Sequence, residues 1–356
     1  MNILHVIDMI SQQKAGGSAK VPYQLGEAQA RLGHKVTIFV SDWNAKDMLA
    51  PAGVKMVKYH CLINYLGGMK ITPGIAFACF GDYNIIHLHN YRLPIHIIPA
   101  NQGIPVVLQA HGSCIPLKSG MVNLISRNLI FNRASAYIAD AEMEVAQYVA
   151  EGADIDKVKV IPVGIDCNEF AHLPERKSNT PKRVLFLGRF HEIKGASLLV
   201  RAMKILGRSD VVLAIAGYDD GDEAALRQLI QEIGMDDKVV FLGPRYGDDK
   251  VREYTQADVY VMPSRYEMFG LTLLEALACG TPVIITDRCG IAPLLPKECG
   301  IVVPLDEYAL SEAIAKALDS NMADNDRDYR IKWARQYDWD NIAPKVIEVY
   351  EKVVEG

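Results

Sequence analysis

The sequence lacks the cysteine pattern of a metal-bound domain and the long apolar run of a membrane span. Its seven cysteines are scattered and none forms a CxxC pair, so a zinc framework is excluded and a reducing cytoplasm is expected. No apolar run approaches the roughly 20 residues of a transmembrane helix. The opening stretch MNILHVIDMI has no basic region before its apolar part, so we expect a buried first strand there, not a signal peptide.

Two further absences reduce the number of possible functions. A net charge of −5 over 356 residues gives no strong field of either sign, which argues against nucleic acid as a partner. Neither half contains the GxGxxG turn of a dinucleotide-binding fold, which argues against an NAD-dependent oxidoreductase. Half of the residues are hydrophobic and 23% are charged, so this length predicts two domains with sizeable cores.

Short apolar runs rich in Val and Ile alternate with amphipathic stretches in both halves of the chain. They include NILHVID, YNIIHLH and IPVVLQA in the first half, and RVLFLG, KVVFLG and ADVYVMP in the second. Successive residues in these runs are apolar, as in parallel strands buried on both faces. A polar, proline-containing stretch around residues 162–182 separates the halves. This rhythm predicts an α/β protein with two doubly wound parallel-sheet domains.

The densest motif is PSRYEMFGLTLLEALACGTPVI, from Pro263 to Ile284. A predicted strand leads into a loop with Glu267, and Gly270 opens a helix that carries Glu275. The free backbone N–H groups of a helix start, together with the helix dipole, attract an anion such as a diphosphate. Carboxylates accept hydrogen bonds from the vicinal hydroxyls of a ribose or a hexose. The motif therefore predicts a site for a phosphorylated sugar compound.

A second motif, FLGRFHEIKG, follows the first predicted strand of the second domain. Arg189 and Lys194 lie beyond the carboxyl end of that strand, where ligands bind in open parallel sheets. Two cations and a helix start can neutralise the charge that develops on a departing nucleoside diphosphate. We therefore expect no metal and no cofactor.

Two glycines and three histidines complete the candidate residues. Gly16 and Gly17, in the loop after the first strand, fit either a close backbone approach to a ligand or a flexible loop. His111 follows another strand and fits either a sugar contact or a structural role. His87 and His89 alternate along one strand, and without a third ligand we expect no metal there.

Taken together, these strings resemble the family 4 (group 1) retaining glycosyltransferases of GT-B fold. The resemblance extends from the glycine loop to the terminal helix. Its most specific part is the E-x7-E pattern of Glu267 and Glu275, followed by GRFHEIKG and then by VIPVGID before the second domain. The fold that it implies is two facing Rossmann-like domains, one spanning residues 1–170 and the other 171–337. It also implies that the terminal helix, residues 338–356, packs back on the first domain, whereas the pattern alone favours a cap on the second.

The resemblance implies a role for each matching residue. Glu275 would hold the donor ribose, Arg189 and Lys194 the diphosphate, and Glu267 the transferred sugar. His111 would face the sugar near the reacting carbon, and Gly17, beside Gly16, would approach the donor phosphate. Backbone contacts to sugar and phosphate would come from the residues after Glu267, namely Phe269, Gly270, Leu271 and Thr272.

The sequence departs from the family pattern at two points. Val163-Gly164 stands where an Asn-Gly pair is usual, and Cys289-Gly290, followed by Pro293, replaces a Gly-Gly turn with a following Glu. The first change affects a local turn. The second removes an expected contact on the donor side.

The chain is thus expected to be a cytoplasmic, metal-independent hexosyltransferase of cell-envelope polysaccharide synthesis that retains anomeric configuration, with an unidentified glycan, lipid-linked or small-molecule acceptor. The stretch IPLKSGMVNLISRNLIFNRAS is either an interfacial helix at the inner membrane face or a core helix with a basic edge. Two alternative functions share the architecture: a sugar-nucleotide epimerase, which needs no acceptor, and an inactive sugar-nucleotide-binding module.

Overall fold

The computed structural model describes residues 1–8, 19–43, 45, 48–65, 69–91, 94–112, 120–178 and 180–356. Contacts between residues divide the chain into two compact units. Unit 1 comprises Met1–Gly164 and Trp339–Gly356, and unit 2 comprises Ile165–Asp338. The division lies between Gly164 and Ile165, whereas the sequence places the boundary after residue 170.

Strands and helices alternate through both units. The strands are Asn2–Ile7 (β1), Lys35–Ser41 (β2), Val54–Tyr59 (β3), Ile63–Tyr65 (β4), Met69–Ile71 (β5), Ile85–His89 (β6), Val106–Gln109 (β7), Ala136–Ala139 (β8), Val158–Val160 (β9), Lys182–Leu187 (β10), Val211–Ala216 (β11), Val239–Gly243 (β12), Val259–Met262 (β13), Val283–Thr286 (β14) and Gly300–Val303 (β15). The α-helices are Val21–Arg31 (α1), Ile97–Ala100 (α2), Gly120–Leu129 (α3), Glu142–Glu151 (α4), Ala196–Leu206 (α5), Glu223–Glu232 (α6), Gly247–Gln256 (α7), Leu271–Ala278 (α8), Glu307–Asp319 (α9), Arg327–Ala334 (α10) and Trp339–Glu355 (α11).

Unit 1 is built on a seven-stranded sheet in the order β3-β2-β1-β6-β7-β8-β9. Its strand pairs are all parallel, and β6 is buried at every residue, as expected of strands covered on both faces. Helix α11 belongs to this unit, where Trp339 Nε1 donates to Gln24 Oε1 at 3.0 Å. Gly164 lies against the same indole, since a Cβ there would come within 2.6 Å of the Trp339 ring. The retained glycine of the Val163-Gly164 turn therefore makes room for the start of α11.

Unit 2 is built on a six-stranded parallel sheet in the order β12-β11-β10-β13-β14-β15. Its core is formed by apolar residues of the strands together with helices α5, α6 and α9. The segment before β10 is tied to the end of the unit, because Ile165 N donates to Tyr337 O at 2.9 Å and Cys167 N donates to an Asp338 carboxylate oxygen at 3.0 Å. These bonds account for the boundary at Gly164.

In both units the strand order reverses beside the first strand, between β1 and β6 in unit 1 and between β10 and β13 in unit 2. Loops that leave the carboxyl ends of two such strands diverge to opposite faces of the sheet and leave a crevice between them. The candidate residues are therefore expected at these two positions.

Candidate active site

In unit 2 the loops after β10 and β13 meet at the point where the strand order reverses. The first loop carries Arg189 and Lys194, and the second carries Glu267. Arg265 N donates to Ile193 O at 2.8 Å, which joins the two loops. The two motifs, separated by about 70 residues in the sequence, thus lie at one edge of the sheet.

The second loop ends in the start of helix α8. Gly270 precedes the helix with φ of 97°, and a Cβ at this position would lie 2.8 Å from the Met262 Cε atom, so glycine suits both its conformation and its space. None of the described side chains caps the helix, and the N–H groups of Leu271 and Thr272 belong to the first turn, whose donors have no intrahelical acceptor. The Phe269 ring is buried, which leaves its backbone as the part suited to a ligand contact.

The two cations predicted for the site, Arg189 and Lys194, are both paired with acids. Lys194 Nζ donates to Glu267 Oε2, and Arg189 donates to Asp220. These side chains are 18–39% exposed, so the pairs are accessible to a competing anion and weak in water. Asp220 was not predicted from the sequence, since it belongs to a separate loop after β11.

Glu275 lies deeper in unit 2 and has two partners that the sequence did not suggest. Lys250 Nζ donates to Glu275 Oε1 at 2.7 Å, and Tyr254 OH donates to Glu275 Oε2 at 3.2 Å. Burial opposes the charge on Lys250, but the carboxylates of Glu275 and Glu169 outweigh it and hold the Lys250 pKa above its ordinary value. Both carboxylate oxygens of Glu275 therefore accept hydrogen bonds from protein donors, and 7% of the residue's surface is exposed.

The Cys289-Gly290 pair, which departs from the family pattern, lies directly beside Glu267. Glu267 forms an isolated parallel bridge with Cys289, and Gly290 N donates to Glu267 O at 2.9 Å. Burial, together with the charge of Glu267, raises the pKa of the Cys289 thiol to about 12. The pair thus positions the Glu267 backbone, and the thiol is protonated at neutral pH.

In unit 1, His111 lies just beyond the carboxyl end of β7. Its side chain is 2% exposed. His111 Nδ1 contacts Asp140 Oδ2 at 2.9 Å and Nε2 contacts His89 Nδ1 at 3.0 Å. Both ring nitrogens are therefore engaged inside the protein, and the predicted contact of this ring with a sugar is left as a prediction.

Three buried histidines lie behind His111. The register of β1 and β6 pairs His5 with His87, and one ring nitrogen from each of His5, His87 and His89 lies within 4.8 Å of the other two. The sequence analysis missed His5 as the third member because the pairing of β1 with β6 is not visible in the chain order. His5 and His89 use both of their nitrogens in protein hydrogen bonds, so the described contacts form a hydrogen-bond network.

Comparison with known proteins identifies the family. Residues 15–169 match the family described as Glycosyltransferase Family 4, and residues 168–337 match Glycosyl transferases group 1. An uncharacterized glycosyltransferase from Methanocaldococcus jannaschii is 33% identical, over 96% of this chain and 95% of that protein. The chain belongs to the group 1, family 4 glycosyltransferases. A D-inositol 3-phosphate glycosyltransferase from Pseudarthrobacter chlorophenolicus is 31% identical over 78% of this glycosyltransferase and 76% of its own length.

Solved structures show the fold of this glycosyltransferase. A sucrose-phosphate synthase from Thermosynechococcus elongatus superposes with a TM-score of 0.79 at 23% identity, with 100% of both chains covered. HepE from Anabaena, in complex with UDP-glucose, gives 0.79 at 20% identity, covering 99% of this chain and 100% of that one. The predicted family, enzyme class and GT-B fold are therefore confirmed, and the epimerase and inactive-module alternatives lose their support.

Gly16 and Gly17 lie outside the described residues, as do the first residues of the predicted interfacial helix. The described part of that segment, α3, exposes four apolar side chains, Met121, Leu124, Ile125 and Leu129, beside the exposed Arg127. Within the described ranges, the helices are too short or too polar to cross a bilayer.

Proposed function

We propose that this glycosyltransferase moves a sugar from a nucleoside-diphosphate donor to an acceptor with retention of anomeric configuration. The observation that carries the proposal is the meeting of Arg189, Lys194 and the start of α8 at the strand-order reversal of unit 2. Such a position binds ligands in open α/β sheets, and two cations beside a helix start suit a pyrophosphate.

In this proposal the donor replaces part of the existing ion pairs. A phosphate oxygen accepts a hydrogen bond from Lys194 Nζ. Because the ammonium group has three donors, Lys194 can also keep its ion pair with Glu267. Arg189 exchanges Asp220 for phosphate oxygens, and Glu275 accepts hydrogen bonds from the ribose hydroxyls. Uridine diphosphate sugars are the first donors to test, because HepE from Anabaena has been solved with UDP-glucose.

Retention is proposed to proceed with the departing phosphate taking the acceptor's proton on the face that it leaves. Two acids near the carboxyl edge of unit 1 are already committed to protein donors. Asp140 accepts from Gln109 Nε2 at 2.7 Å and contacts His111, and Glu144 accepts from the N–H groups of Gly112 and Asp140. Their engagement supports a reaction without a carboxylate nucleophile, in which Arg189, Lys194 and helix N–H groups stabilise the leaving group.

A donor screen tests the proposal. We expect one of the UDP-, GDP-, ADP- or dTDP-sugars to raise the melting temperature, because a ligand of the folded state stabilises it by mass action. With that donor and an acceptor such as inositol 3-phosphate, the anomeric proton followed by NMR is expected to show retention, and turnover is expected to be unchanged in EDTA. An inverted product contradicts the mechanism, and activity lost in EDTA and restored by Mg²⁺ contradicts metal independence.

We also propose that α3 contacts an anionic membrane surface and gives access to a lipid-linked acceptor in the cytoplasm. The four exposed apolar side chains of α3 beside a basic residue support this contact. The double variant Leu124→Ser/Ile125→Ser is expected to lower co-sedimentation with vesicles that contain anionic lipid. The matched control Val240→Ser alters an exposed apolar residue of unit 2 and is expected to leave it unchanged. Wild-type binding that does not respond to anionic lipid contradicts the proposal.

A further inference from the structure

A continuous hydrogen-bond chain crosses the interior of unit 1. Gln29 Oε1 contacts His5 Nε2 at 2.7 Å, and His5 Nδ1 contacts His89 Nε2 at 2.8 Å. His89 Nδ1 contacts His111 Nε2 at 3.0 Å, and His111 Nδ1 contacts Asp140 Oδ2 at 2.9 Å. The chain thus joins helix α1 to the carboxyl ends of β6, β7 and β8.

The number of protons in this chain follows from its ends. Each hydrogen bond contains one proton, and both ends are oxygen acceptors, the amide oxygen of Gln29 and the carboxylate of Asp140. Four bonds therefore need four protons, whereas three neutral imidazoles carry only three N–H groups. With this orientation of the Gln29 amide, the three rings together must carry one proton more than three neutral imidazoles do. It resides on an imidazole, because a histidine is ordinarily far more basic than an aspartate.

The charges around Asp140 favour this arrangement. If the amide of Gln29 were turned so that its nitrogen faced His5, three ring protons would suffice and no imidazole would be charged. Within the described residues Asp140 would then be a buried carboxylate without a counter-charge, since no Lys or Arg of those residues forms an ion pair with it. An unpaired buried charge costs several kcal/mol, whereas the amide of Gln29 finds partners in either orientation.

The extra proton belongs next to Asp140. Burial lowers the pKa of His5 to about 4 and holds the pKa values of His87 and His89 well below the ordinary range. Burial and the charge of Asp140 raise the pKa of Glu144 to about 8. In the described part of the protein, the other groups that face the chain are Tyr350 of α11, in contact with Gln29 and His87, and His96, near His89. Among the contacts of the described residues, His111 is the one ring of the three that touches a carboxylate.

We infer that His111 is held as an imidazolium between Asp140 and His89, and that His5, His89 and His111 position the turn that follows β7. At this turn His111 has φ of 50° and Gly112 has φ of 80°. A left-handed conformation costs a residue with a side chain about 1–2 kcal/mol. The two bonds of the ring, with Glu144 Oε1 accepting from Gly112 N at 2.6 Å, offset that cost. The link to catalysis rests on the proposed function, whereas the protonation does not.

Proton-detected ¹⁵N NMR of histidine-labelled protein at pH 7.5 tests the protonation directly, with signals assigned from single histidine variants. We expect both nitrogens of His111 to be protonated, and His5 and His89 to be neutral with the proton on Nε2. Asp140→Asn is expected to make His111 neutral. The control Asp42→Asn, at a half-buried carboxylate in contact with the exposed His60, is expected to leave the His111 signals unchanged. A neutral His111 in the wild-type protein, or a proton on Nδ1 of His5, overturns the inference whether or not sugar transfer is detected.

Kinetics separate positioning from general stability. His89→Phe keeps a ring but removes the acceptor for His111, so we expect kcat to fall about ten- to a hundredfold with little change in the donor KM. His89→Gln offers an amide oxygen to the same proton and is expected to restore part of kcat. An equal loss for both variants, or a change confined to KM, contradicts the positioning role.

Discussion

The carboxyl edges of the two sheets hold their charged side chains in opposite ways. In unit 2, Arg189 and Lys194 form partly exposed ion pairs with acids from neighbouring loops. In unit 1, His111 and Asp140 are almost fully buried and are joined to His5 through His89. Exposed pairs are weak and can exchange partners with a ligand, whereas a buried, fully bonded chain fixes geometry. Unit 2 is therefore suited to binding the donor, and unit 1 to holding one turn in place.

The ion pair of Lys250 and Glu275 is an exception to this contrast, because it is buried although it belongs to unit 2. Lys250→Met leaves the Glu275 carboxylate without its main partner, so we expect a loss of about 3–5 kcal/mol in the free energy of unfolding. Urea denaturation measures this loss. Lys250→Met/Glu275→Gln removes both charges and is expected to recover most of it. A single variant as stable as the wild type would mean that the pair is already solvated.

The exposed pairs of unit 2 should matter for activity much more than for stability. Arg189→Ala is expected to lower kcat roughly a hundred- to a thousandfold, the effect of losing one donor to developing negative charge. Arg208→Ala is the matched control, because Arg208 also forms partly exposed ion pairs, with Asp210 and Asp319. An equal loss of kcat in both variants would contradict a specific catalytic role of Arg189.

Unit 1 should be the acid-sensitive part of the molecule. Burial lowers the pKa of His5 from 6.5 to about 4 and keeps that of His87 low as well. Since the unfolded chain binds these protons more tightly, the stabilising contribution is complete above pH 6.5 and is lost as the pH falls towards 4. For His5 alone it amounts to about 3 kcal/mol.

His87→Phe tests this prediction, because it keeps a ring and removes one titrating group. As the pH falls, the free energy of unfolding is expected to decrease less steeply in the variant than in the wild type, by about 1.4 kcal/mol per pH unit. The exposed His172 provides the control, and His172→Gln should reproduce the wild-type slope. An unchanged slope in His87→Phe would contradict neutral burial of His87.

The smallest effect is expected for the ribose contact. Glu275→Gln keeps an acceptor oxygen but loses the charge, so donor binding should weaken by about 1.5–3 kcal/mol at most. Calorimetry with the donor identified by the thermal screen measures it. Glu253→Gln, which changes a carboxylate on neighbouring helix α7, serves as control. Equal affinity of the wild type, Glu275→Gln and Glu253→Gln for the donor would exclude Glu275 from the donor site.

The sequence predicted the fold because the relevant signal is local. Continuous apolar runs marked the strands, and Gly270 was predicted at the start of helix α8, where the structure places it. Fold class and family followed from these runs and from the motif around Glu267 and Glu275, and the comparisons confirm both.

Partners brought together by strand register were not predictable in the same way. Lys250, in the polar stretch GDDKVREYTQ, resembles a surface residue, but it is buried against Glu275 of α8 and against Glu169 and Phe170. His5 pairs with His87 because β1 and β6 are neighbours although about 80 residues separate them. The shared pattern of NILHVI and NIIHLH was the one local signal for that pairing.

The most direct test of the donor site is a crystal structure of the enzyme with the nucleoside diphosphate of its donor. We expect the pyrophosphate oxygens within hydrogen-bond distance of Arg189, Lys194 and the N–H groups of Leu271 and Thr272, and the ribose hydroxyls at Glu275. A diphosphate bound elsewhere, with Arg189 still on Asp220 and Lys194 contacting only Glu267, would contradict the proposed donor site.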